Sequence, residues 1–270
     1  MKIINEFTPI EKYEVLGRTV HVKREDLSCN KPAPPLAKLR GVYIVINRMK
    51  KEGAKKIGVF DTRVSKSGWG CAAIANELGG IEITNFYPQL IGYKNKTPDI
   101  QKEVVKLGHK IMPMKGGRTA VLYSQAKNYM KTNNIIPMPL GLTVPESVEQ
   151  TKIQALSIPE ELLGGDLVLS IGSGMITSGV VRALKRKQNK IYAISAGMNI
   201  KKQRKRMSSV GAFNLGNVKL LPARLNDYYT PETTEAPFPS SPYYDLKAWR
   251  FLLDNINELK DPILFYNIGV

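Results

Sequence analysis

The sequence predicts an α/β fold with mainly parallel sheets. Short β-branched or apolar runs alternate with longer stretches whose apolar residues recur at helical spacing. The gaps between the short runs are too long for tight turns, which removes a hairpin-rich alternative, and strand–helix alternation is the mark of crossover connections. A chain of 270 residues that is 43% hydrophobic also has the apolar material for one large or two modest domains.

In chain order, the predicted strands cover 57–60, 81–86, 109–114, 166–171, 190–195, 218–221 and 262–266. The predicted helices cover 36–52, 69–78, 98–107, 119–131, 145–156, 175–187 and 245–259. Gly53 and Gly79 follow two helix ends, where a residue free to take positive φ closes the last turn, while Ser65 and Ser67 precede a start. The segment 228–242 holds four prolines and few periodic apolar residues, so it reads as a loop. No internal repeat or low-complexity tract is present.

Composition excludes several classes. No apolar run approaches the roughly 20 residues needed to cross a bilayer, and the N-terminal residues lack the apolar stretch of a secretory signal, so a cytoplasmic protein without membrane contact is expected. Cys29 and Cys71 stand singly and only His21 and His109 are available, which predicts a reduced, metal-free chain. Against 23 acidic residues stand 40 Lys and Arg, a net charge of +17 that attracts polyanions. The densest run, Lys201 to Arg206, lacks interleaved aromatics, so it reads either as a phosphate-contacting face without base readout or as a solvated helix face.

Four segments carry chemistry. Val22-Lys23-Arg24-Glu25-Asp26-Leu27 is followed, after a proline-rich loop, by Leu36-Ala37-Lys38-Leu39-Arg40, where apolar neighbours would desolvate the Lys38 ammonium as imine chemistry requires. Ser65-Lys66-Ser67 joins a strand to an alanine-rich helix, and hydroxyls with free amides there suit a carboxylate or phosphate, or simply an ordinary cap. Gly172-Ser173-Gly174-Met175-Ile176-Thr177 runs from a strand into a helix, a setting for holding a phosphate on backbone N–H groups. It matches neither the nucleotide-triphosphate loop nor the dinucleotide fingerprint. Last comes Tyr243-Tyr244-Asp245-Leu246-Lys247 at a helix start, with the closing strand around 263–269.

Read in order, these segments resemble the 1-aminocyclopropane-1-carboxylate deaminase and D-cysteine desulfhydrase family, a branch of the fold-type-II, tryptophan-synthase-β-like pyridoxal-phosphate enzymes. The family's KRED-type strand and lysine motif look like 22–27 with Lys38-Leu39-Arg40. Its Ser-Asn-His segment is similar to Ser65-Lys66-Ser67, its phosphate loop to Gly172–Thr177, and its Tyr-Glu-Gly-Lys stretch to Tyr244-Asp245-Leu246-Lys247. The resemblance implies two α/β domains with the active site between them: a large cofactor-binding domain of residues 1–41 and 150–270, and a smaller one of residues 42–149. It also implies a homodimer, because relatives commonly pair. There are departures too. Leu36-Ala37 replaces Gly-Asn before the lysine, Lys66 and Ser67 replace Asn and His, Ile268 replaces a threonine beside the pyridine ring, and 140–149 lacks a Gly-Gly-Ser-Asn signature. The last argues against deamination of the family's usual small substrates.

The resemblance further implies that Lys38 carries pyridoxal 5′-phosphate and moves protons at the substrate carbons. Gly172, Ser173, Gly174, Met175, Ile176 and Thr177 would hold the phosphate. Asp245 would neighbour the pyridine nitrogen, Tyr244 would serve as proton donor or ring neighbour, and Ser65, Lys66 and Ser67 would hold a substrate carboxylate, with Ser65 and Ser67 alternatively sharing in catalytic proton transfer. The expected function is a lyase, deaminase or decarboxylase acting on an amino acid or amine. The positive charge suits an amino acid attached to a modified DNA base. A relative that has lost its chemistry and serves as a nucleic-acid-binding or scaffold protein is the alternative, for which Lys66, Ser67 and Ile268 speak.

Overall fold

The computed structural model describes residues 7–89, 97–197, 199–213, 215–225 and 227–269. In chain order its elements are β1 (Ile10–Val15), β2 (Arg18–Arg24), α1 (Leu39–Lys51), β3 (Lys56–Phe60), α2 (Ser67–Leu78), β4 (Glu82–Gln89), α3 (Asp99–Lys106), β5 (Lys110–Lys115) and α4 (Thr119–Thr132). There follow β6 (Ile136–Pro137), α5 (Pro145–Leu156), β7 (Asp166–Ile171), α6 (Met175–Leu184), β8 (Lys190–Ser195), α7 (Ile200–Ser209), β9 (Val218–Pro222), α8 (Asp245–Asp254) and β10 (Ile263–Asn267).

The chain divides into two compact units. Among the described residues, the larger comprises 7–30, 35–41 and those from 145 to 269; the smaller comprises 31–34, 42–89 and 97–144. The larger holds a six-stranded sheet in the order β1-β2-β10-β7-β8-β9, and the smaller a four-stranded sheet in the order β5-β4-β3-β6. All pairings are parallel except β1 with β2, an antiparallel edge pair.

In the larger unit the strand period of two sorts the core. Leu167, Leu169 and Ile171 of β7, with Leu264 and Tyr266 of β10, pack on one face with Ile176, Val180 and Val181 of α6. The intervening Val168, Ile263 and Phe265 face the other way, against Trp249 and Leu252 of α8. Because both faces are covered, these strands read as continuous apolar runs, with every residue of β7 and β10 buried. The smaller unit has its own cluster, in which Phe60 and Phe86 pack on Leu122, Ala126 and Met130 of α4.

Several boundaries differ from expectation. The helix expected from residue 36 begins at Leu39, because Leu36 bridges to Gly269 and the Ala37 amide donates to the Ile268 carbonyl. Residues 36 and 37 therefore lie extended against the end of β10. The basic run forms α7, capped by the Asn199 side chain accepting from the Lys202 amide. α2 starts at Ser67, two residues earlier than expected.

Candidate active site

The turn after β7 opens α6. Gly174 caps that helix with φ at 92°, a left-handed conformation that glycine adopts without strain. The first turn of any helix leaves backbone N–H groups without intrahelical acceptors, and here they gather where Gly172 and Ser173 lead in. Gly172 leaves room for a close approach, since a Cβ there would lie 3.0 Å from the Tyr244 ring. The side chains of Met175, Ile176 and Thr177 are buried, and Ile176 belongs to the core, so any part they take in anion binding falls to their backbone.

Lys38 reaches this turn. Its Nζ donates to Ser173 Oγ at 2.8 Å, and the side chain is half-buried. Two devices fix its backbone. Ser147 Oγ of α5 donates to the Lys38 carbonyl at 3.1 Å, and Arg40, two residues on, donates to Glu25 at 2.5 Å in a pair wholly out of solvent. The four charges Lys23, Arg24, Glu25 and Asp26 are all buried at the end of β2. Lys23 donates to the Thr8 carbonyl at 2.6 Å, and burial pulls its ammonium down to about 8 although Glu25 opposes this. Arg24 grips Asp26 through two bonds of 2.9 and 2.8 Å, and Asp26 accepts from Asn267 of β10 at 2.9 Å. Buried charges persist only when paired and hydrogen-bonded, so this run works as a clamp that ties β2 to the Lys38 segment and to β10.

Asp245, at the first turn of α8, is fully buried. It accepts from Ser170 Oγ at 2.8 Å and from the Ile268 amide at 3.2 Å. Burial pushes its carboxyl up to about 7, against the lowering effect of those donors, with the charge of Asp26 adding to the rise. Position 268 thus supplies a backbone donor to this carboxylate, although its side chain has no polar atom. Tyr244 lies against Gly172, and its hydroxyl bonds that of Tyr228. Ser65, Lys66 and Ser67 belong to the smaller unit. Ser65 and Ser67 hydroxyls bond each other at 2.9 Å, the Gly68 amide donates to Asp61 at 2.8 Å, and Lys66 is the cap residue of α2 without a side-chain capping bond.

No family model matches the sequence. Along 99% of its length, and 99% of the other chain, the protein is 32% identical to a glycyl-dTMP PLP-dependent decarboxylase of Pseudomonas phage M6. The chain belongs to this decarboxylase's family. Solved structures agree in fold. An ACC deaminase homologue aligns with a TM-score of 0.81 and 18% identity over 99% of this chain and 90% of its own. O-ureido-L-serine synthase gives 0.71 and 14% over 97% and 89%. Threonine deaminase isoform 2 from Solanum lycopersicum gives 0.70 and 15% over 98% and 79%. The chain is therefore a pyridoxal-phosphate enzyme of that family, with the fold of the fold-type-II enzymes.

The residues present fit that cofactor. An amine stands on a glycine–serine turn at a helix N-terminus, an aromatic ring lies against the same turn, and a buried carboxyl is poised to share a proton. These are complementary to an aldehyde, a phosphate, a ring face and a pyridine nitrogen. In this member of the decarboxylase family the turn has further support that the motifs did not reveal. Gln203 of α7 donates to the carbonyls of Ile171 and Gly172 at 2.9 and 3.1 Å. The available signal was its spacing: Gln203 and Met207 stand four apart, on one helix face, and both are buried.

Proposed function

We propose that this protein is a decarboxylase that removes CO2 from an α-amino acid carried on a thymine nucleotide, including nucleotides within DNA. What carries the reading is the Lys38–Ser173 contact at the glycine–serine turn, in a chain that resembles the phage decarboxylase from end to end. Lys38 would hold the cofactor's aldehyde through its amine, which stands on the turn at Ser173, and would give way there to the substrate amine. The amides of 172–177 would hold its phosphate, and Asp245, fixed by Ser170 and the Ile268 amide, would hold a proton toward its ring nitrogen. The bound cofactor supplies an electron sink for the pair left at Cα when the carbon–carboxylate bond breaks. CO2 leaves as that bond breaks, and Lys38 would then deliver a proton to Cα, so that an amine remains. Tyr244, hydroxyl-bonded to Tyr228, is the second proton carrier, and Ser65, Lys66 and Ser67 receive the substrate carboxylate.

Fold-type-II relatives commonly pair, and we take this chain to act as a cytoplasmic homodimer, which sedimentation checks. No helix among the described residues is long and apolar enough to cross a membrane. The test of function is release of labelled CO2 from glycyl-dTMP and from DNA carrying the same base. Purified protein should show the visible band of the bound cofactor, and borohydride treatment should leave the cofactor's mass on the Lys38 peptide. Lys38→Ala should lose both the band and CO2 release. A colourless protein that stays colourless with added cofactor would turn the conclusion to a binding protein that has lost its chemistry.

A further inference from the structure

We propose that α7 and the Tyr228–Tyr229 pair form the docking face for a DNA strand, with phosphates on the helix and the extruded base on the Tyr229 ring. This rests on the nucleotide-borne substrate proposed above and names the form in which that substrate arrives. Two independent features converge on the catalytic turn.

The first is the helix. α7 reads IKKQRKRMSS, with five basic residues and no acidic one. Lys201, Lys202, Arg204 and Lys205 are exposed, while Gln203 and Met207 are buried. Like charges three and four residues apart repel one another along a helix, and a row of phosphates removes that repulsion while releasing counterions. The inner face is tied to the active site. Gln203 holds the Ile171 and Gly172 carbonyls, and Met207 Cγ lies 3.3 Å from where a Cβ at Gly174 would stand.

The second is a ladder of tyrosines. Tyr229 is 47% exposed and meets Tyr228 edge to face at 5.2 Å; Tyr228 meets Tyr244 in the same manner at 5.6 Å, and Tyr244 lies against Gly172. Gly197, just ahead of α7, has φ at +104°, and a Cβ there would stand 2.4 Å from the Tyr228 nitrogen. The ladder and the helix therefore both reach Gly172, and Tyr228 also backs onto Gly197, three residues ahead of the helix. An enzyme that works on an atom attached to a stacked base must take the base out of the helix. The exposed Tyr229 ring, which reaches the turn held by this cationic helix through Tyr228 and Tyr244, offers that base a surface to stack on, whatever its sequence context.

The experiment uses cofactor-loaded protein and a short end-labelled DNA duplex without modified bases, with anisotropy read across a salt series. A variant carrying Lys201→Gln, Lys202→Gln, Arg204→Gln and Lys205→Gln should bind roughly tenfold or more weakly, with the slope of log K on log salt reduced by about 3 to 4. A charge-matched control, Lys51→Gln, Lys55→Gln, Lys56→Gln and Lys131→Gln, should keep most of the slope. Tyr229→Ala should weaken binding about fivefold or more with the slope unchanged, and in Tyr229→Trp the added indole emission should be quenched by DNA. Equal losses in the two charge variants, an unquenched indole, or preference for an RNA duplex of the same sequence would each overturn the proposal. CO2 release from glycyl-dTMP without DNA binding would leave the function standing and remove this face. DNA binding through α7 without CO2 release from either substrate would do the reverse.

Discussion

Replacing Asp245 by Asn tests the most unusual group in the larger unit. The carboxyl is fully buried, and its folded value of about 7 stands above the usual 3.8. A carboxyl raised on folding favours the fold in its protonated form. That contribution is complete below the unfolded value and is lost as pH climbs through the folded one. At about 1.4 kcal/mol per pH unit, the full contribution is about 4 kcal/mol, and about 3 kcal/mol of it disappears between about pH 5 and about pH 8. Asn keeps an oxygen for Ser170 and the Ile268 amide but cannot titrate, so Asp245→Asn should lack this fall. Urea unfolding of cofactor-free wild type and variant across that range reads the difference directly. Adding cofactor to the wild type should flatten its fall, because a ring nitrogen that shares the proton offsets the burial of the charge. Parallel pH profiles for wild type and variant would refute the reasoning, since they would mean that burial does not raise this carboxyl.

Other outcomes follow from the clamp around Lys38. Arg40→Met removes the guanidinium facing Glu25 inside the protein and should cost about 3 to 5 kcal/mol, whereas Arg40→Met with Glu25→Gln should recover much of it; a denaturant double-mutant cycle measures both. Gly41→Ala would set a Cβ 2.2 Å from the Ser147 backbone nitrogen. Moving that part of α5 should cost about 3 kcal/mol or more and disturb the Ser147 bond to the Lys38 carbonyl, so the visible cofactor band should weaken in equilibrium titration.

β7 and β10 at the centre of the larger sheet were readable because they are buried on both faces and so stand out as unbroken apolar runs, whereas β2, RTVHVKR, was not among the predicted strands. β1 was not readable. IEKYEV is a half-exposed edge strand whose charged residues hide its period. The start of α1 was misplaced because residues 36 and 37 pair with Ile268 and Gly269, more than two hundred positions away, and no local propensity reports such a contact. The apolar neighbours of Lys38 at 36, 37 and 39 are a setting that other lysines of the chain also approach. Only its order relative to the 22–27 run and the glycine–serine turn singled it out. The turn was legible from composition, but Gln203 was not, since a glutamine amid lysines and arginines looks like one more solvated side chain.

The pairing of β2 with β10 has a consequence for how the chain comes to order. Residues 20–24 find their neighbours among residues 263–267, so during synthesis the β1–β2 hairpin must wait, with one side of β2 unpaired, until residues 263–267 have emerged. Contacts of such long sequence separation are slow to form, and open strand edges invite mispairing while they wait. Truncation from the C-terminal side should therefore yield an aggregating product rather than a smaller stable body.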